Sequence, residues 1–210
     1  MKDFKTMRKK SKLVFGVGMN DADYPVYSYD VIGAMHKQIW ICPIYKTWKN
    51  MLHRVYDRTF LINNPTYIGC SVDSEWLSFS TFRKWMVKQD HEGKQLDKDI
   101  LIAGNKVYSP DTCVFISKRL NTFLCERNTN RGEFPIGVCL HKQSNKFAAQ
   151  CSNPFTGKRG HLGLFDNQDI AHEAWRTRKH ELACRYAELQ DDQRIAQSLR
   201  TRFANDRNQK

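Results

Sequence analysis

The chain has 210 residues, 40% of them hydrophobic, which suffices for one larger or two small domains with real cores. Its 34 Lys and Arg against 22 Asp and Glu leave a net charge of +12, an excess that attracts phosphates whatever the sequence they carry. Seven cysteines, at 42, 70, 113, 125, 139, 151 and 184, form no CxxC pair and argue against a zinc ribbon or a disulfide framework, and no apolar run approaches a membrane span.

Residues 1–12 hold Lys2, Lys5, Arg8, Lys9, Lys10 and Lys12 against one Asp, and read as a flexible basic arm. No apolar stretch of the kind found in a secretion signal follows them, so a reduced cytosol is expected. Gly16 and Gly18 open a loop-forming run; without a Walker-type Lys-Ser/Thr they predict a tight turn rather than a phosphate loop. Short strands are expected around Val26 and Tyr27 and around Ile39, Trp40 and Ile41. Two helices follow from three- and four-residue spacing: Tyr45, Trp48, Met51, Leu52, Val55 and Tyr56, then Trp76, Phe79, Phe82, Trp85 and Met86. These aromatics are expected in the core; a stacking platform for unpaired bases is the alternative.

Residues 96–101 read as a strand, 103–106 as a turn, Val107 and Tyr108 as the start of a return strand, and Ser117 as the cap of a helix running through Asn121. This is a ββα order. The polar stretch 126–133 is the expected linker, dividing a domain at 13–125 from one at 134–210. In the latter, three strand candidates at 136–140, 146–151 and 161–165 are separated by turn chemistry at 143–145 and 153–157. A helix can begin at Asp166 or Asn167, and Ile170, Ala171, Ala174, Trp175, Leu182, Ala183 and Tyr186 give it one apolar face to cover the sheet. The other sheet face is then open to phosphates and base edges. The fold class is α+β, with a helical tail after the sheet-covering helix.

The segment Ile136-Gly137-Val138, Lys146-Phe147-Ala148-Ala149-Gln150 and His161-Leu162-Gly163-Leu164-Phe165-Asp166, with Ala171 and Ala174-Trp175 behind it, resembles the DNA-binding domain of plant ethylene-response factors. That resemblance implies a three-stranded sheet laid in the major groove of double-stranded DNA. The residues it assigns to DNA are His141, Lys142, Lys146, Gln150, Ser152, Arg159 and His161. Plant members place Arg and Trp at positions where this chain has Cys139, His141, Gln143, Ser152 and His161, so the plant target sequence does not carry over.

The upstream half, with Tyr67-Ile68-Gly69-Cys70, Glu75-Trp76 and the run from Tyr108 to Phe115, resembles the ββα-metal (HNH) nuclease domains of phage homing enzymes. The resemblance implies metal-dependent phosphodiester cleavage, with Asp97 and Asn121 as oxygen ligands for Mg²⁺ or Mn²⁺. Lys98 falls where that family has its catalytic His, and Thr112 where it has the Asn that props the loop. A protonated Lys takes no proton from water unless its pKa is lowered, so His91 and His53 are weighed as substitute bases. Asp99 is read as a possible second carboxylate on the strand face of Asp97, and Cys113 as a packing residue beside Phe115.

Two function classes follow. One is a sequence-directed, homing-type endonuclease acting in the cytoplasm of a phage-infected bacterial cell. The other is a DNA-binding or regulatory protein on a nuclease scaffold that no longer cuts. A His or Glu close to Asp97 and Asn121 favours the first; Lys98 paired with Asp97 or Asp99 in a closed site favours the second. A protein-binding module is a third reading, and would lack a basic sheet face. No membrane and no small-molecule substrate are expected.

Overall fold

The computed structural model describes residues 13–32, 35–125 and 133–204. Residues 1–12 and most of the 126–133 stretch lie outside them. The chain is α+β and folds as two compact units, 1–99 with 104–115 and 100–103 with 116–210. The division falls between Phe115 and Ile116, ahead of the expected linker.

In the first unit, Gly16 has φ +78° and the backbone turns back on itself, Gly18 N donating to Val14 O at 2.9 Å. Gly18 also has no room for a side chain: a Cβ there would lie 2.3 Å from Leu52. The tight turn expected from the two glycines is therefore present, and close packing rather than a ligand explains the second of them. β1 (Tyr27–Ile32) and β2 (Met35–Ile41) form an antiparallel hairpin, longer than the short strands expected.

Helix α1 (Pro43–Tyr56) begins on a proline, whose missing N–H costs nothing in a first turn, and buries Tyr45, Trp48, Met51, Leu52 and Val55. α2 (Arg58–Asn63) is capped by Asp57, which accepts from Phe60 N at 2.8 Å. α3 (Phe79–Met86) is capped by Ser78 and buries Phe79, Phe82 and Met86. Trp48 and Trp76 are fully buried, and the Trp48 indole donates to Trp76 O at 2.7 Å. Tyr45, Phe79 and Phe82 are buried with them, and Tyr56 and Trp85 are half-buried, so the aromatic periodicity is mainly core.

β3 (Ser71–Val72) runs parallel to β5 (Val107–Tyr108), and β4 (Lys94–Asp97) pairs with β6 (Val114–Ser117). The ββα order is present with different members. The first strand is 94–97 rather than 96–101, and Val107-Tyr108 returns to β3 instead of β4. The true return strand is β6, which leads directly into α4 (Lys118–Leu124), capped by Ser117 at 3.1 Å from Leu120 N.

In the second unit, β7 (Val138–His141), β8 (Lys146–Ser152) and β9 (Arg159–Phe165) form an antiparallel sheet in that order. Asn145 takes φ +51° in the first turn, and Asn153 closes the second through its backbone bonds to Lys158 O and Gly157 N. Asn167 caps the 20-residue α5 (Gln168–Ala187), accepting from Asp169 N at 2.6 Å. α5 packs on all three strands through Ala171, Trp175, Leu182 and Ala183, while α6 (Gln193–Arg202) packs on α5. Ile170 does not join that buried face: it is 58% exposed. Gly137, at φ +81°, admits Trp175, whose ring would stand 2.1 Å from a Cβ.

Candidate nucleic-acid interface

Register decides which side chains share a face of the β7–β8–β9 sheet. Side chains alternate along a strand, and directly paired residues point the same way. On β8, Lys146, Ala148, Gln150 and Ser152 fall on one face, and Phe147, Ala149 and Cys151 on the other. The pairs His141↔Lys146, Gln150↔His161 and Ser152↔Arg159 then place His141, Arg159 and His161 with the first set. Simple alternation along β9 would have put Arg159 and His161 with Phe165 instead. The register slips by one residue between Ala149 and Gln150, where Leu162 is the extra residue, and this bulge turns both side chains over.

The opposite face is the covered one. Ala149 is fully buried there, and the Cys151 thiol is pushed up by burial and drawn back partly by Lys179 and Arg178 of α5. On the first face Ser152, Arg159 and His161 are exposed and Gln150 is half-buried. Among the described residues, Gln150, Arg159 and His161 make no side-chain hydrogen bond or ion pair. His141 bonds to Ser144 Oγ at 2.8 Å, and Lys146 meets Asp166 at 3.0 Å across the surface. Lys142 lies in the β7–β8 turn, one residue beyond the strand, and is exposed. Six of the seven residues expected to meet DNA thus stand on one face, and the seventh at its rim.

The loop after β4 has the opposite character. Lys98 is 6% exposed, and its ammonium donates to Asp99 and, at 2.8 Å, to Asn105 O. Asn105 returns a bond to Lys98 O at 2.8 Å and another to Val107 O at 2.7 Å. Thr112 props the loop from its far side, its hydroxyl donating to Val107 O at 2.8 Å. Asp99 lies beyond the end of β4, so it does not share a strand face with Asp97. Instead its N–H donates to Asp97 Oδ1 at 2.8 Å.

A second cation that sequence patterning misses, Arg54 of α1, stands near Asp97. Burial works against its charge, and Tyr108, Tyr67 and Asp97 more than offset that, holding the guanidinium above its ordinary value. Burial likewise pushes the Tyr108 hydroxyl up. Only its place on the polar side of α1, one turn from Met51, could have signalled Arg54.

The two histidines weighed as substitute bases both pack against aromatic rings. The His91 ring packs against Phe115 at 5.8 Å, and His53 lies between Phe15 and Phe60, 4.0 Å from Asp57. Cys113 is buried, and burial pushes its thiol up to about 12, so it is a packing residue and not a nucleophile at neutral pH.

Asp97 belongs to the first unit, whereas Asn121 sits in α4 of the second, where its Oδ1 faces the Cys125 thiol at 3.9 Å. One Asp97 carboxylate oxygen accepts the Asp99 N–H, and Arg54 is near enough to Asp97 for their charges to interact. No group of three or more His, Cys, Asp or Glu side chains able to hold a metal occurs among the described residues. None of the described helices is long and apolar enough to cross a membrane. Compared with protein-family models, with curated proteins and with solved structures, the chain matches none of them.

Proposed function

We propose that this protein binds double-stranded DNA through the open face of the β7–β8–β9 sheet, and that its ββα segment is a structural scaffold rather than a cutting centre. The observation that carries the first part is the cross-strand register, which gathers His141, Lys146, Gln150, Ser152, Arg159 and His161 opposite the helix-covered face. Gln and Arg suit bidentate contacts to adenine and guanine edges, and the net charge of +12 supplies attraction to any phosphate backbone. The second part rests on Lys98. Its ammonium is buried in an ion pair with Asp99 and a bond to Asn105 O, which supports a role in holding the loop together. Seven free cysteines are compatible with a reducing, cytoplasmic setting.

The test is fluorescence anisotropy against a DNA site selected from random sequence. Arg159→Ala and Gln150→Ala should each weaken specific binding by roughly 1–3 kcal/mol while the fold persists. Equal affinity of the wild type and the double variant would sink the sheet as the reading face. Incubation with supercoiled plasmid and Mg²⁺ or Mn²⁺ addresses the scaffold claim: nicking that disappears in Asp97→Ala would restore the nuclease reading.

A further inference from the structure

One end of the sheet opens into a cleft of about 860 Å³, inside the range of roughly 300–1,000 Å³ typical of ligand sites. It lies wholly within the second unit, between the exposed side of α4 and the ends of β7, β8 and β9. Four cations line it, Lys118, Arg119, Arg159 and Lys179, and no Asp or Glu does so among the described residues. Four of its lining residues, Cys139, Gln150, Ser152 and Arg159, also belong to the open sheet face, so a duplex lying across that face passes over the mouth of the cleft.

The interior differs from the rim. Phe123, Val138 and Trp175 make it apolar, and Phe123 and Trp175 are each 6% exposed. Lys179 is buried beside them, donating to Phe123 O with its ammonium 3.8 Å from the centre of the Phe123 ring. Lys118, Arg119 and Thr122 are exposed on α4 and form the outer lip. Apolar walls, polar groups at the entrance and a positively charged rim match a flat aromatic base carried on a phosphate.

We infer that this cleft receives one unpaired nucleotide of the DNA strand bound across the sheet, its base in the apolar interior and its phosphates on the lip. The inference rests on the sheet being the DNA-binding face. It adds a preference that the sheet alone does not give, for sites where a nucleotide has left the stack.

Two duplexes of the same sequence provide the test, one perfect and one with a single unpaired 2-aminopurine opposite the cleft's expected position. The bulged duplex should bind about tenfold more tightly, the increment that taking one base out of water supplies, and the 2-aminopurine emission should change on binding. Thr122→Trp, which fills the mouth from an exposed helix position, should remove the preference and leave affinity for the perfect duplex unchanged. Lys118→Gln is the milder second variant and should reduce the preference several-fold. Equal binding of both duplexes overturns the cleft while leaving the sheet reading in place; failure to bind either overturns both. Displacement of the 2-aminopurine from the cleft by micromolar free deoxyadenosine monophosphate would also overturn it, by making the cleft a site for free nucleotides.

Discussion

In the loop after β4, Lys98 is locked to Asp99 and Asn105, and Arg54 lies near Asp97, so each cation has an internal counterpart. On the open face of the β7–β8–β9 sheet, Gln150, Arg159 and His161 have none among the described residues. Both regions carry residue types that suit nucleic-acid chemistry. The difference lies in desolvation. A buried charge is tolerated only when paired, and once paired it holds a loop together instead of meeting a ligand. Exposed side chains on a rigid sheet keep their hydrogen-bonding capacity for a partner and cost the fold little.

The sharpest way to break this comparison is from beneath the sheet. Gly137→Ala puts a methyl into the Trp175 ring and forces a left-handed backbone on a non-glycine residue, so stability should fall by about 3 kcal/mol in thermal or urea denaturation. A variant as stable as the wild type would show that α5 does not sit against the sheet as described. Lys98→Ala leaves Asn105 O and the half-exposed Asp99 carboxylate without their cation, and should cost about 2 kcal/mol of stability with no change in DNA affinity. Weakened DNA binding with unchanged stability would reverse the assignment of the two regions.

The cysteines sharpen the contrast without changing the charge of either region. Cys139 is exposed on the sheet face, whereas Cys113 is buried, so alkylation in the native state should modify the first and spare the second until the protein unfolds. Because folding raises the Cys113 pKa, the associated stability is complete below the ordinary thiol value and is lost as pH rises toward about 12. Denaturation midpoints that stay flat through alkaline pH would contradict this burial. The smallest effect concerns the basic arm. Deleting residues 1–12 should weaken binding to all sequences alike and reduce the salt slope by about 0.9 for each phosphate that the arm no longer neutralises. An unchanged slope in a salt titration would remove the arm from the interface.

Local signals made much of this legible. Three- and four-residue spacing identified α1, α3 and α5 because their apolar faces are buried, and Gly, Asn and Pro marked the turns of the three-stranded sheet. What escaped was non-local. Val107-Tyr108 is too short to declare its partner, and its pairing with Ser71-Val72 depends on residues more than thirty positions away. The run Val114, Phe115 and Ile116 is buried throughout, so it lacks the alternation that flags a strand. Ile170 stayed exposed because the buried face of α5 runs along Ala171, Trp175, Lys179 and Leu182, about 100° round the helix from it. The cleft joins four separate stretches of chain, and Arg54 gains its meaning only beside Tyr108 and Asp97.

The extra residue at Leu162 has an evolutionary consequence. Loss of that single codon would bring His161 next to Gly163 in regular alternation, so Arg159 and His161 would keep their places opposite Ser152 and Gln150 and only the bulge would vanish. The membership of this sheet face therefore tolerates the gain or loss of one residue at that position, with no change at Gln150, Ser152, Arg159 or His161.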